Sequence, residues 1–287
     1  MKYTKDYELR GTARVYEDLT EMVTVAVRHG KEYGSRIHSG KWVGRELEDW
    51  AAVERAVTEP WDDALHEVRM MVEELKGKVK PPERVARRKV YSMHRGSQVN
   101  IDRALNGDPY CLKTMTKRKT SGVPTNATVV CNVGNTGDWS YKDIFWRGAA
   151  AIAAVDLLEQ ANYRCEVWVY NLARSVNEDW QLNNSLCACR VKNAGDVLDI
   201  DHLVTATSAW FFRNVIFELR KTDPCYGRDK GWVRGSSHAN LGSWDKYFDI
   251  ESGTTPVVMP APRSRDAAIA AAEQVIESVV SGQKEQV

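Results

Sequence analysis

The fold is decided by a stretch in the second half of the chain, which begins ATVVCNV at 127–133 and resumes after a polar loop as DIFWRGAAAIAAVDLLEQANYRCEVW at 143–168. The first run is continuously apolar, as is typical of strands buried on both faces of a sheet. Apolar positions at helical spacing predict a long helix over 141–161, and alternating apolar residues predict a second strand over 163–172. A strand, a helix and another strand in this order predict an α/β sheet.

The C-terminal segments extend this pattern. Alternation over 185–191 predicts a third strand, and an apolar run at 255–259 predicts a short fourth strand. Helices are expected over 201–221 and 264–280. Because the connection at 173–184 shows no helical periodicity, the second and third strands should pair antiparallel.

The N-terminal part is predicted to be helical. Apolar residues recur at helical spacing over 13–33, 45–57 and 60–77. A short strand candidate at 89–93 is expected to join the sheet of the second half. The polar, basic stretch 113–125 is predicted to be a solvated loop or an exposed strand.

The expected organisation follows from these segments. A helical region at 1–88 precedes an α/β domain at 89–281, and residues 282–287 form a flexible tail. The α/β domain is expected to carry helices on both faces of its sheet.

Composition excludes several classes of protein. The 287 residues include 40 Lys and Arg against 39 Asp and Glu, a formal net charge of +1, which gives no support to a dedicated nucleic-acid-binding protein. No apolar run approaches the roughly 18 residues that a membrane span needs, and the N-terminus lacks the apolar stretch of a signal peptide. We therefore expect a soluble, cytoplasmic protein with no membrane contact.

The six cysteines do not indicate a metal site. None forms a C-x-x-C pair, and Cys131, Cys165, Cys187 and Cys189 lie in apolar, strand-like runs, where a free thiol behaves as a small hydrophobic group. A zinc site would need paired spacing with nearby histidines. The chain also lacks a G-x-S-x-G motif, so a serine hydrolase has no support. We expect reduced, buried thiols.

The candidate site is the loop NVGNTGD at 132–138, directly after the first buried strand. In open α/β sheets, ligands bind beyond the carboxyl ends of the strands. The loop lacks the G-x-x-x-x-G-K-[ST] pattern of a phosphate-binding loop and the G-x-G-x-x-G pattern of a dinucleotide-binding loop. These two cofactor-binding motifs are therefore excluded.

The order of elements resembles that of von Willebrand factor type A domains, in which a buried strand, a loop and a long helix precede a parallel and an antiparallel strand. Their metal-ion-dependent adhesion site begins with D-x-S-x-S at the end of the first strand. This sequence has Asn132-x-Gly134-x-Thr136 at the same spacing, a degenerate form of the motif. Residues 143–168 are also similar to an uncharacterised family of bacterial and phage proteins with no established activity.

By this resemblance, Asn132, Thr136 and Asp138 would hold a divalent metal ion such as Mg²⁺. The residues themselves favour another interpretation, because Mg²⁺ prefers anionic oxygen ligands and only Asp138 supplies one. In that interpretation Gly134 and Gly137 make a tight turn, which Asn132 caps through hydrogen bonds. No cofactor is expected, with Mg²⁺ as the alternative.

A second cluster of ionisable residues occurs in the segment DVLDIDH, and comprises Asp196, Asp199, Asp201 and His202. Carboxylates and a histidine at this spacing are able to bind a metal ion or to act as an acid and base pair. The alternative is that Asp199 or Asp201 caps the following helix, whose dipole favours acidic residues in its first turn. We expect the capping role.

The longest stretch without periodicity is 222–249. Connections of this length are usually functional or disordered. Its mixture of aromatic and basic residues suits a protein interface, with a solvated loop and nucleic-acid stacking as the alternatives. The candidate interaction residues are Tyr226, Arg228, Trp232, Arg234 and Trp244.

These observations support one leading functional hypothesis, a non-enzymatic protein-interaction or adaptor protein without catalytic residues. Its docking surface would be formed by the loops at 134–138 and 226–247. Intracellular A-domain proteins often act as adaptors for MoxR-type AAA+ ATPases, so the resemblance implies such an ATPase as the protein partner. Two alternatives stay open: a phage or bacterial structural or assembly protein, and a metal-dependent enzyme acting on phosphate or nucleic acid. The enzyme would use Asp138, Asp199, Asp201 and His202.

Overall fold

The computed structural model describes most of the chain. The described residues are 1–6, 11–59, 61–79, 86–92, 98–107, 109, 111–118, 125–134, 139–176, 182–223, 242–248, 250 and 254–284. The strands are β1 (Lys2–Asp6), β2 (Gly11–Tyr16), β3 (Ala86–Ser92), β4 (Gln98–Val99), β5 (Leu112–Arg118), β6 (Thr125–Asn132), β7 (Tyr163–Val176), β8 (Leu182–Lys192) and β9 (Pro256–Met259). The helices are α1 (Leu19–Tyr33), α2 (Trp50–Thr58), α3 (Asp62–Lys76), α4 (Ile101–Leu105), α5 (Tyr141–Gln160), α6 (Ile200–Thr207), a π-helical segment (Phe211–Ile216), α7 (Phe217–Lys221), a 3-10 helix (Gly242–Tyr247) and α8 (Arg265–Lys284).

A six-stranded sheet lies at the centre, in the order β1-β2-β8-β7-β6-β9. Strand β6 pairs in parallel with both β7 and β9, which places Val129 opposite Val167 on one side and Val257 on the other. Strands β7 and β8 pair antiparallel, as the lack of helical periodicity between them predicted. The α/β fold class is confirmed.

The N-terminal residues differ from the helical region predicted at 1–88. Strands β1 and β2 belong to the central sheet, where β2 pairs antiparallel with β1 and parallel with β8. The helix predicted at 13–33 begins only at Leu19, after Asp18, whose side chain accepts a hydrogen bond from the backbone N–H of Glu21 at 2.8 Å. Thr12 and Arg14 alternate with Ala13 and Val15 as in a strand. Val15 also lies at helical spacing from Leu19 and Met22, and the prediction followed that longer helical pattern.

Strand β3 does not join the central sheet. It pairs antiparallel with β5 in a separate three-stranded sheet of order β3-β5-β4. The strand predicted at 89–93 therefore exists as Ala86–Ser92, but its predicted place in the central sheet is wrong. Both β3 and β5 are rich in Arg and Lys, a composition that suits an antiparallel ribbon better than a strand of a sheet covered on both faces.

The two faces of the central sheet are covered differently. On one face, residues such as Cys131 and Val167 share a core with α1, α2, α3, α5, α6, the π-helical segment, α7 and α8. On the other face, Trp168 and Tyr170 pack edge-to-face against Phe248, which follows the 3-10 helix. Among the described residues, no α-helix contributes to this second cluster, so the prediction of helices on both faces is corrected there: aromatic side chains of β7 and Phe248 pack on this face instead.

Helix α5 connects the end of β6 with β7 through the centre of the core. Its start is fixed by a capping box, in which the Ser140 hydroxyl accepts from the Asp143 N–H at 3.1 Å and the Asp143 carboxylate accepts from the Ser140 N–H at 3.0 Å. Small residues bring α6 close, since a Cβ on Gly148 would lie 2.5 Å from the Thr207 hydroxyl oxygen. The helix therefore holds its N-terminal turn firmly beside the carboxyl end of β6.

The helix predicted at 201–221 is interrupted after Thr207 by Ser208 and continues through the π-helical segment. In that segment, the Asn214 amide oxygen accepts from the His38 N–H at 2.8 Å, and its nitrogen donates to the His38 carbonyl at 3.0 Å. π-Helical turns often occur at functional positions. Among the described helices, none has both the length and the apolar character needed to cross a bilayer.

Candidate binding site at the carboxyl end of β6

The loop after β6 is organised by a buried asparagine. Asn132 is the last residue of the strand, and its side-chain oxygen accepts from the Gly134 N–H at 2.8 Å. A Cβ on Gly134 would lie 2.3 Å from the Asn171 amide nitrogen, so only glycine fits without a shift. This is the capping hydrogen bond that the second interpretation of Asn132 predicts. Thr136, Gly137 and Asp138, and with them the rest of the predicted turn, lie outside the described residues.

Arg147 of α5 lies directly behind this loop and is fully buried. Its Nη1 donates to the carbonyl oxygens of Asn132 at 2.6 Å and Gly134 at 2.9 Å. Within the described structure, its Nε and Nη2 have no hydrogen-bond partner. Burial lowers the pKa of Arg147 to about 10, and the positive charge of Arg263 acts in the same direction. The guanidinium is still protonated at neutral pH, so the loop rests on a buried positive charge.

Trp139, two residues before α5, is in contact with further arginine residues. The Arg263 guanidinium carbon lies 3.6 Å from the centre of a Trp139 ring, and that of Arg147 lies 5.1 Å away. Nη2 of Arg213, in the π-helical segment, donates to the Trp139 carbonyl at 2.8 Å. The Trp139 indole N–H is buried, with no hydrogen-bond partner in the described part of the chain. Arg263 is exposed and follows β9. Two neighbouring parallel strands thus lead into one site.

Strand β7 supplies the floor of the site. Asn171 is fully buried, and neither its amide nitrogen nor its oxygen is hydrogen-bonded within the described residues. The neighbouring Tyr170 is buried as well, and burial raises the pKa of its hydroxyl. Unpaired buried amide groups are rare in folded proteins because each costs free energy. The site therefore holds polar groups whose hydrogen-bonding capacity the described chain does not use.

The described part of this loop does not fit a divalent cation. The two carbonyl oxygens at Asn132 and Gly134 accept from the Arg147 guanidinium, which repels a cation, and the Asn132 side-chain oxygen is bound to a backbone N–H. A divalent metal needs several free, preferably anionic oxygen atoms. The positive charge instead makes this end of the sheet suited to an anionic group.

Comparison with known proteins places the chain in a family. A family model described as Domain of unknown function (DUF7192) matches residues 4–280. The chain belongs to this family. The match runs from β1 to α8, so the family includes the N-terminal strands and helices as well as the loop after β6. No curated protein and no solved structure matches the chain, and family membership assigns no activity.

The second ionisable cluster has a structural role. The Asp199 carboxylate accepts from the N–H groups of Asp201 at 3.0 Å and His202 at 3.1 Å, which confirms that Asp199 caps α6. Asp201 pairs with Arg69 at 3.7 Å. Asp199, Asp201 and His202 border a cavity of about 110 Å³ between α2, α3 and α6. Across the described residues, no three His, Cys, Asp or Glu side chains are grouped so that they could hold a metal ion.

The strand cysteines are unsuited to nucleophilic chemistry. Cys131, Cys165, Cys187 and Cys189 are free and buried, as predicted. Burial raises the pKa of the first three thiols to about 12 and that of Cys189 well above its ordinary value. A thiol with so high a pKa is almost entirely protonated at neutral pH, and the thiolate is the reactive form.

Most of the predicted interaction loop falls outside the described residues. Those positions are Tyr226, Arg228, Trp232 and Arg234. Trp244 belongs to the 3-10 helix. Tyr247 is the last residue of this helix, and its hydroxyl donates a hydrogen bond to Asp6 of β1, which attaches this end of the stretch to the edge of the sheet.

Sequence reasoning missed Trp139, Arg147 and Arg263. Arg147 had a recognisable signal, because it lies three residues after Ile144 and four before Ala151, on the apolar face predicted for α5. A charged residue on such a face needs a buried partner. Arg263 gave no local signal, since its contact with Trp139 exists only because β9 pairs beside β6.

Proposed function

We propose that this chain is a non-enzymatic, cytoplasmic protein-interaction module that binds a partner protein at the carboxyl end of β6. The observation that carries the proposal is the exposed Arg263, which lies over a ring of the buried Trp139 at this end of the sheet, with the buried Arg147 and Arg213 beside it. Arginine is enriched at the positions that contribute most to protein–protein binding. This edge is also the place where α/β sheets bind their ligands.

The likeness to von Willebrand factor type A domains supports the same location. Strand β6, helix α5, the parallel strand β7 and the antiparallel strand β8 follow in the order that those domains have. Intracellular proteins with von Willebrand factor type A domains often act as adaptors for MoxR-type AAA+ ATPases, so an ATPase of that type is the partner we propose to look for. The loop at 226–247 would extend the docking surface.

The arrangement of reactive groups favours binding over catalysis. The thiols are buried and protonated, Asp199 serves as a helix cap, and the Asn132 side chain is engaged in a turn. The enzyme alternative needs Asp138 to meet Asp199, Asp201 and His202. The described residues supply no observation that favours it, so we propose no reaction.

Affinity purification from the native host tests the proposal. Tagged protein is captured with and without Mg²⁺ and ATP, and co-purifying proteins are identified by mass spectrometry. We expect a AAA+ ATPase, whose direct binding is then measured with both proteins purified. Replacing Trp232 and Trp244 with alanine should weaken that binding, whereas Met70→Ala, at an exposed position of α3, should not.

Two results would contradict the adaptor role. Recovery of the chain alone as a large homo-oligomer on size-exclusion chromatography would favour the structural or assembly protein. Recovery of nucleic acid without a protein partner would favour the alternative that acts on nucleic acid.

A further inference from the structure

Two positive charges at the carboxyl end of β6 are not neutralised within the described structure. Neither Arg147 nor Arg263 forms an ion pair with a described carboxylate, whereas exposed cations elsewhere, such as Arg69 and Arg265, do. Arg147 is buried, and only its Nη1 donates hydrogen bonds to the carbonyl oxygens of the loop. An anionic group near a buried cation offsets the cost of burying its charge, so the positive potential of this site favours the approach of an anionic group.

The two guanidinium groups both lie close to Trp139 and repel one another. Both lie within 5.1 Å of the centre of a Trp139 ring, and the charge of Arg263 lowers the pKa of Arg147. Contact with the indole restricts the motion of the Arg263 guanidinium, while the residue remains exposed to solvent. A guanidinium held in this way loses little conformational freedom when it forms a two-pronged contact with a carboxylate.

We infer that Arg263, stacked on Trp139, binds a carboxylate side chain in an acidic segment of the partner protein. Arg147 is a positioning residue, which holds the loop and supplies positive potential from behind the ring. This inference rests on the proposed function for the identity of the ligand as a protein. It deepens that function by naming the chemistry that the partner must present.

Charge balance favours an acidic peptide over nucleic acid. The formal net charge of the chain is only +1, and among the described residues of this site Arg263 is the exposed cation that lies over an aromatic ring. Binding to a phosphate backbone uses many Lys and Arg contacts. One carboxylate, in contrast, is matched by one guanidinium edge.

The test uses the full chain and a hexaglutamate peptide as probe, with hexaglutamine as the neutral control. Binding is followed by NMR on the indole N–H signal of Trp139, which is assigned from its loss in Trp139→Phe, and by calorimetry. We expect the Trp139 indole signal to shift saturably with hexaglutamate but not with hexaglutamine. This shift should disappear when ionic strength rises from about 0.01 M to about 1 M. Inorganic phosphate should compete only weakly.

Matched variants distinguish a direct contact of hexaglutamate with Arg263 from attraction to the overall positive charge of the chain. Arg263→Gln should weaken hexaglutamate binding by about fivefold, whereas Arg28→Gln should leave it unchanged, because Arg28 is also exposed but lies on α1. Arg147→Lys, which keeps the charge, should bind more tightly than Arg147→Met at equal thermal stability. No saturable shift, equal binding by Arg263→Gln, or tighter binding of phosphate than of hexaglutamate would overturn the inference.

Experiments with the partner protein distinguish failure of the carboxylate contact from failure of the adaptor role. If the captured ATPase binds Arg263→Glu as well as it binds the natural chain, the adaptor role stands and the carboxylate contact is wrong. If hexaglutamate binding depends on Arg263 but no partner protein is recovered, the recognition of an acidic segment stands and the adaptor role fails.

Discussion

At the end of β6, the amide side chains of Asn132 and Asn171 lie so close to the backbone of Gly134 that a residue with a Cβ would not fit there. Gly134 donates its N–H to Asn132 and faces Asn171 across a distance that leaves no room for a Cβ. Its φ angle is not in the left-handed region, since the positive-φ glycines described are Gly34, Gly40, Gly44 and Gly107. The requirement for glycine is therefore one of space, not of backbone conformation.

Gly134→Ala should accordingly lower the free energy of unfolding by about 1–3 kcal/mol, the usual cost of overpacking a buried site. Urea unfolding followed by circular dichroism measures it. The double variant with Asn171→Ala is the control, because removing the amide removes the nearest obstructing atom. If Gly134→Ala costs the same free energy in both backgrounds, the Asn171 contact is not the cause.

Helices α1 and α7 are joined by a buried carboxylate. Glu218 is almost fully buried, and accepts hydrogen bonds from His29 Nδ1 at 2.6 Å, the Ser35 hydroxyl at 2.7 Å and Lys221 Nζ at 2.6 Å. Burial alone would raise the pKa of Glu218. The hydrogen bonds from Lys221, Ser35 and His29 outweigh it and hold the pKa below its ordinary value of 4.5.

This network makes the stability of the chain depend on pH. Because the pKa is lower in the folded than in the unfolded state, the stabilisation is fully present above the ordinary value and is lost as pH falls through the folded value. Glu218→Gln should lower the free energy of unfolding by about 1–3 kcal/mol at neutral pH. The difference from the natural chain should shrink as pH falls below about 4.

Urea unfolding at a series of pH values checks this prediction. Glu277→Gln is the matched control, since Glu277 is exposed on α8 and should contribute no such change. A difference between Glu218→Gln and the natural chain that stays constant down to the lowest pH would show that the ionisation of Glu218 does not stabilise the fold.

Elements were predictable from the sequence where one physical signal dominates. The apolar run of β6, the helical period of α5 and the alternation of β7 each identify the element from its own residues. Strand β2 was missed because Val15 also fits the helical spacing of the residues that follow it. Strand β3 was assigned to the wrong sheet because the sequence of a strand does not identify its pairing partner. The sequence predicts a candidate site at the loop after β6 but gives no sign of the positive charge beside it, since Arg263 reaches Trp139 only through the pairing of β9 with β6.

The whole molecule shares one principal core. Residues of β2, α1, α2 and α3 lie in the same buried cluster as those of β6, α5 and α8. Arg14 of β2 also donates to the Leu219 carbonyl at 2.7 Å, and Asp223 accepts from Ser185 of β8 at 2.6 Å. The residues before 89 therefore complete the sheet and its helical layer.

A chain that begins at residue 89 should not fold by itself, because it would expose the edge of β8 and the apolar surfaces that α1 and α3 cover. We expect the full chain to unfold in a single cooperative transition, and the 89–287 chain to show neither dispersed amide signals in NMR nor a cooperative transition in urea. Removal of residues 285–287 is the control and should leave the transition unchanged. Cooperative unfolding of the 89–287 chain with native-like signals would instead establish an independent α/β domain, and the burial of β2 beside β8 would then contribute little to the stability of the sheet.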